Sequence, residues 1–139
     1  MARGLSVALC IDERGGMLFG GKRQSRDRVL IEELISSTEG KVVINEFSSS
    51  LFRDYDDKVR IEKKPYKKCK AGDVFFVENI PLSEFIDDVN EIIIYNWNRH
   101  YPSDVKIDID PVSLGFTLIQ STEFEGSSHD KITKEIYRK

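Results

Sequence analysis

Apolar residues in this chain fall into short runs punctuated by turn formers, and the runs carry two different periods. LSVALCID (5–12), KVVIN (41–45), DVFFVEN (73–79) and EIIIYNW (91–97) are nearly continuous, which predicts strands covered on both faces. In SRDRVLIEEL and the residue after it, Val29, Leu30, Leu34 and Ile35 share one face, which predicts a helix capped by Ser25 and running through Ile35. KVRIEKKP (58–65) alternates only at Val59 and Ile61 and ends at Pro65, the pattern of an edge strand. GFTLIQSTEF (115–124) and KITKEIYRK (131–139) alternate with period two, and GSSHD (126–130) supplies their turn. Between these runs, ERGGMLFGGKRQ (13–24) reads as a glycine-rich loop and PYKKCKAG (65–72) as one or two helical turns. LSEFIDDV (82–89) reads as a short helix, with Asn79 or Ser83 as its cap and Pro81 in its first turn.

Strands that alternate with helices imply parallel neighbours, while the terminal pair implies an antiparallel edge. A mixed, mostly parallel sheet with helices on both faces satisfies both signals: an α/β three-layer sandwich. At 139 residues, without repeats or linkers, the chain reads as one domain over 1–139.

Composition narrows the function classes. Charged residues make up 32% and hydrophobic ones 40%, as in an ordinary globular protein. A net charge of −3 argues against a dedicated nucleic-acid binder, whose footprint is basic. Cys10 and Cys69 sit in unlike surroundings and read as free thiols. With no signal peptide, they point to a reducing cytoplasm. No apolar run reaches the length of a membrane span. His100 and His129 have no HxH, HExxH or CxxC partners, so no metal site is expected. GSSHD lacks the setting of a nucleophile elbow.

Several stretches together resemble the dihydrofolate reductase family, in a shortened and divergent form. SVALCIDERGGM is similar to the family's first strand and mobile loop, SRDRVLIEEL to its substrate-side helix, and KVVINEFSSSLF to the strand and helix start that cradle cofactor phosphates. VNEIIIYNWNRHYPSDVKIDID, GFTLIQSTEFEG and KITKEIYRK follow its last three strands, while residues 53–71 are shorter than the family's corresponding segment. The resemblance implies a catalytic or substrate-orienting carboxylate at Asp27, and a ligand-binding role for Asn45, Ser48, Ser49, Ser50 and Asn79 along the cofactor side. The chain departs from the family at Glu46 and at Glu78–Asn79, where the family carries an arginine and paired glycines. Two like charges at 4 Å repel by about 4 kcal/mol at an effective dielectric near 20, against about 0.3–1 kcal/mol from a helix dipole. Glu46 and Glu78 therefore disfavour NADPH, and the cofactor is left open.

From the residues themselves, KRQSRDR (22–28) concentrates cations, and Arg23 and Arg26 suit an anionic ligand as well as local ion pairs. Asp27 equally suits a helix's first turn, paired with Arg23 or Arg28. NWNRHYP (96–102) places Trp97 at the carboxyl end of a strand, where α/β sheets bind ligands or complete their core. The expected activity is a divergent dihydrofolate reductase-like one on a pterin, nucleotide or similar planar molecule. Two alternatives stand beside it: a nucleic-acid-acting protein, such as an RNA binder or phosphodiesterase, using the 22–28 and 63–70 basic patches, and a non-catalytic interaction module.

Overall fold

The computed structural model describes residues 4–139. In chain order its elements are β1 (Leu5–Ile11), β2 (Gly16–Phe19), β3 (Lys22–Arg23), α1 (Arg28–Ser37), β4 (Val42–Ile44) and β5 (Val59–Ile61). They continue with β6 (Val74–Phe76), β7 (Val89–Asn96), β8 (Val105–Lys106), β9 (Thr117–Phe124) and β10 (Ile132–Arg138).

The apolar runs form the middle of a seven-stranded sheet ordered β5-β4-β6-β1-β7-β10-β9. β5, β4, β6, β1 and β7 are mutually parallel, and β10 and β9 close one side antiparallel. This is the mixed sheet the pattern predicts. Its two faces carry separate cores because successive side chains point opposite ways. Val7, Leu9, Phe75, Ile92 and Ile94 pack on one face, and Ala8, Val42, Phe76, Ile93 and Tyr95 on the other. α1 covers the second face with Leu30, Ile31 and Leu34, joined by Phe52. Leu34 is fully buried, so Leu34→Ala should cost about 2–5 kcal/mol.

The first face is roofed differently from expectation. No α-helix forms over 82–89; two single 3-10 turns stand there, Leu82–Glu84 and Ile86–Asp88. Neither Asn79 nor Ser83 caps them. The Asp108 carboxylate does, accepting the Leu82 and Ser83 N–H groups at 2.9 and 3.2 Å. The serine-led segment Glu46–Lys58 is also 3-10, broken at Phe52 and Tyr55, so it carries no long aligned dipole.

Two further departures shape the site. The glycine-rich stretch is not a plain loop: β2 and β3 form a hairpin across Gly20 and Gly21, whose φ values of 60° and 76° are those a two-residue type I′ turn requires. β8 pairs with β2 to complete a small second sheet. And α1 begins at Arg28, two residues later than a Ser25 cap would give, because Asp27 is the N-cap, accepting from the Val29 and Leu30 N–H groups. β5 is the short edge strand expected, and the lysines 63, 64, 67, 68 and 70 that follow it are exposed. β9 at the opposite edge is eight residues long, with Leu118 and Ile119 exposed.

Candidate functional site

At the carboxyl ends of β1, β6 and β7 a chamber lies between the sheet, α1 and the β2–β3 hairpin. Its walls include Cys10, Met17, Phe76, Leu51 and Trp97, with Arg23, Ser25, Arg26, Asp27 and Glu78 at its polar side. The enclosed space is about 20 Å³, room for roughly one water. Two outer grooves share lining residues with it. One, of about 390 Å³, is lined by Gly21, Lys22, Arg23, Ser25, Arg26 and Phe47. The other, of about 330 Å³, runs past Arg26, Asp27, Ser50, Leu51, Ser127 and Ser128. Both sit at the low end of ligand-sized volumes.

Asp27 occupies the polar wall and is 2% exposed. Its Oδ1 accepts the N–H groups of Val29, Leu30 and Ser127 at 3.0, 3.3 and 2.9 Å. Its Oδ2 accepts the Ser128 N–H at 2.7 Å and faces His129 Nδ1 at 2.9 Å. Burial opposes its ionisation, but the hydrogen bonds from His129, Ser127, Ser128 and Leu30 outweigh it and hold the carboxyl well below the usual carboxylate range. With both oxygens engaged, Asp27 presents no free lone pair to the chamber. The geometry offers a cap and an anchor for His129 rather than a carboxylate that touches a substrate. Neither Arg23 nor Arg28 pairs with it: Arg28 reaches Glu32 at 3.6 Å.

His129, from the turn before β10, is the residue that motif reading passed over. It is 3% exposed, stacked on Trp97 with ring centroids 4.4 Å apart. An ionised Asp27 selects the tautomer with hydrogen on Nδ1, which leaves Nε2 an acceptor. Two hydroxyls face that nitrogen, Ser25 Oγ and Tyr101, each at 3.0 Å. Gly126 makes the approach of this turn feasible, since a Cβ there would lie 2.3 Å from Asp27 Oδ2. No local spacing signals a contact between residues 27 and 129; it exists only once the last hairpin is in place.

Asp12, at the end of β1, fixes the neighbouring backbone. Its carboxylate accepts the N–H groups of Arg14, Gly16 and Tyr101 at 2.9, 2.8 and 3.0 Å, and the Gln24 amide at 3.3 Å. Burial works against its charge, but the Gly16, Tyr101 and Arg14 hydrogen bonds lower its pKa all the same. Gln24 Oε1 is buried without a partner among the described residues. The Cys10 thiol is pushed up by burial and then by Glu78, so it is not a thiolate.

On the cofactor side, the hairpin delivers Arg23 to Glu78. Arg23 Nε donates to Oε2 at 2.9 Å and Nη2 to Oε1 at 3.1 Å, a bidentate pair. Nη2 also meets the Phe47 carbonyl at 3.1 Å. Ser48, fully buried, donates its hydroxyl to Glu78 Oε1 at 2.8 Å. Glu78 is not a bare charge facing a cofactor, because Arg23 balances it, and Ser48 has no proton left for a phosphate. Asn45 donates to Asn79 at 2.8 Å. The groove beside them, lined by Asn45, Glu46, Phe47, Glu62, Lys63 and Asn79, holds two carboxylates and one lysine. Ser49 lines a different depression with Ile44 and Phe52, away from Ser50. The three serines therefore do not form one cradle. Among the described residues Arg26 and Lys22 make no ion pair, and no cluster of His, Cys, Asp or Glu could hold a metal ion.

A solved structure of dihydrofolate reductase from Enterococcus faecalis, complexed with NADP(H) and RAB-propyl, superposes at a TM-score of 0.62, covering 99% of this chain and 97% of that one. The fold is that of dihydrofolate reductase. Identity between the two is 11%, so the likeness carries the architecture and not the chemistry. No family model and no curated protein matches the sequence. The dihydrofolate reductase-like sheet thus carries, in this chain, an Arg23–Glu78–Ser48 lock and an Asp27–His129 pair in its cleft. No described helix is long and apolar enough to cross a membrane.

Proposed function

We propose that the chain binds a compact small molecule bearing an anionic group in the cleft between α1 and the β2–β3 hairpin, without nicotinamide-dependent reduction. One observation carries this reading: Arg26 lines the inner chamber and both outer grooves, and has no ion partner among the described residues. A guanidinium left free at a junction of cavities suits a carboxylate or phosphate, which it can hold with two parallel hydrogen bonds. Trp97, Leu51 and Met17 supply the apolar surface for the rest of the ligand. Because the inner chamber holds about one water, a planar ring enters only if a wall residue such as Leu51 turns aside.

The same geometry works against NADPH. Its dinucleotide would run along the side where Ser48 is committed to Glu78, where Glu46 adds a carboxylate without an ion partner among the described residues, and where the 3-10 segment gives little dipole. The test is a set of melting curves and calorimetric titrations with inorganic phosphate, glutarate, a pteridine carboxylate and NADPH. Compact anions should raise the melting temperature, by an amount equivalent to about 2.7 kcal/mol at a hundredfold excess over Kd, and Arg26→Ala should abolish the rise. Micromolar NADPH binding that survives Arg26→Ala would refute the reading.

A further inference from the structure

We propose that Ser25, His129 and Asp27 form a nucleophilic triad that opens small esters bearing an acidic group through an acyl-serine intermediate. The anionic half of this inference rests on the reading of Arg26 given above; the nucleophilic half rests on geometry alone. Ser25 Oγ stands 3.0 Å from His129 Nε2, and His129 Nδ1 stands 2.9 Å from Asp27 Oδ2. These are the two contacts that define such a relay, which is recognised by roles and distances and not by chain order. The imidazole is held by Asp27 and by the Trp97 ring, so its Nε2 faces the Ser25 and Tyr101 hydroxyls. Ser25 is half-buried and lines both the chamber and the outer groove that Lys22 and Arg26 flank. A hydrogen-bond bridge meant only to brace the fold has no need of a serine opening on two cavities.

The chemistry balances with water as the only co-reactant. Ser25 Oγ attacks the ester carbonyl carbon as its proton passes to His129 Nε2, and the ionised Asp27 stabilises the imidazolium. The carbon–oxygen bond to the leaving alcohol breaks, and His129 returns the proton to that oxygen. Water then attacks the acyl-serine, gives a proton to His129, and the acid departs as Ser25 regains its hydrogen. Asp27 acts here as a positioning residue, since its contacts are His129, the Ser127 hydroxyl and backbone N–H groups. Arg26 would hold the acidic end of the acyl group.

The test uses the full chain. A neutral alkyl fluorophosphonate should label it with one equivalent, fluoride leaving as the Ser25 Oγ–phosphorus bond forms, and peptide mass spectrometry should place the label on Ser25. Ser25→Ala, checked for an unchanged melting temperature, should lose labelling by at least about a hundredfold, the lower bound for a positioned general base. Ser25→Cys should label with iodoacetamide faster than Cys10 or Cys69 in the same molecule. No labelling of the wild type, or label on Tyr101, the other hydroxyl at His129 Nε2, overturns the triad. For substrate class, 4-nitrophenyl acetate is compared with the mono-4-nitrophenyl ester of glutaric acid. The glutarate ester should be favoured by about tenfold in kcat/KM, and Arg26→Ala should remove that preference. Labelling with no preference between esters overturns the Arg26 reading alone; anion binding without labelling overturns the triad alone.

Discussion

Replacing Asp27 by Asn changes one atom type at the point where α1, the last hairpin and His129 meet. The remaining oxygen can keep the Val29, Leu30 and Ser127 N–H groups. The amide nitrogen then faces two donors, the Ser128 N–H at 2.7 Å and His129 Nδ1 at 2.9 Å. With the His129 hydrogen moved to Nε2, Nδ1 can accept from the amide, so the Ser128 hydrogen bond to a charged acceptor, about 1.5–3 kcal/mol, is the one lost, and a buried N–H is left with a donor opposite it, for a total near 2–4 kcal/mol. At about 2.1 cal/mol/K per residue the unfolding entropy of a chain this size is on the order of 0.3 kcal/mol/K, so the melting temperature should fall by about 7–14 °C. The pH dependence gives the prediction its sign. The folded carboxyl is held below its usual value, so its contribution is complete above about pH 4, the unfolded carboxylate value, and fades as pH falls toward the folded one. The gap between wild type and Asp27→Asn should therefore be widest near pH 6 and narrow toward pH 3. Asp12 and Asp73, also lowered, titrate in both proteins and cancel in the difference. Calorimetric melts at half-unit steps from pH 3 to 7 measure it. Equal melting temperatures within 2 °C, or a gap that stays constant with pH, would show that the carboxylate is not what joins these elements.

Other substitutions probe the rest of the cleft. Gly126→Ala puts a Cβ 2.3 Å from Asp27 Oδ2 and should cost on the order of 1–3 kcal/mol, read as a lower denaturant midpoint with an unchanged slope. Arg23→Ala leaves the Glu78 carboxylate, 9% exposed, with Ser48 alone, and should destabilise by about 1–3 kcal/mol; a double-mutant cycle with Glu78→Gln should return a coupling above about 1 kcal/mol. Glu46→Arg alone should leave inorganic phosphate affinity within about threefold, because the Ser48 hydroxyl stays bound to Glu78, and a tenfold gain by calorimetry would show that the serine is available after all.

The sheet was legible because its centre is written in local chemistry. Val7, Leu9, Val43, Ile44, Phe75, Val77, Ile93 and Tyr95 are all buried, and runs so apolar have few other destinations. The terminal hairpin showed in its alternation. The β2–β3 hairpin was also written, in Gly20–Gly21 flanked by Leu18 and Arg23, but adjacent glycines suggested a loop more readily than a turn between strands four and two residues long. The cap of α1 could not be chosen locally: Ser25 and Asp27 are both good N-caps, and Ser127, Ser128 and His129, a hundred residues on, decide for Asp27. The candidate site suffers most from this. Arg26 and Trp97 lay in stretches that attracted notice, whereas Glu78 looked like an obstruction until Arg23 was seen beside it. His129 carries no motif at all, only a position that folding supplies.

The Asp27–His129 contact spans 102 residues of chain. Closing so long a loop costs on the order of 4 kcal/mol in chain entropy before any reward arrives, so pairings of this kind form late and slow the folding of the molecules that depend on them. β10 pairs with β7, and the turn before β10 meets the start of α1. A chain in which β10 is unpaired can hold β1, β4 and β6 together and yet lack the Asp27–His129 contact. A ligand that needs that contact binds only the state in which β10 is paired, and its binding energy protects β10 from exchange and from proteases.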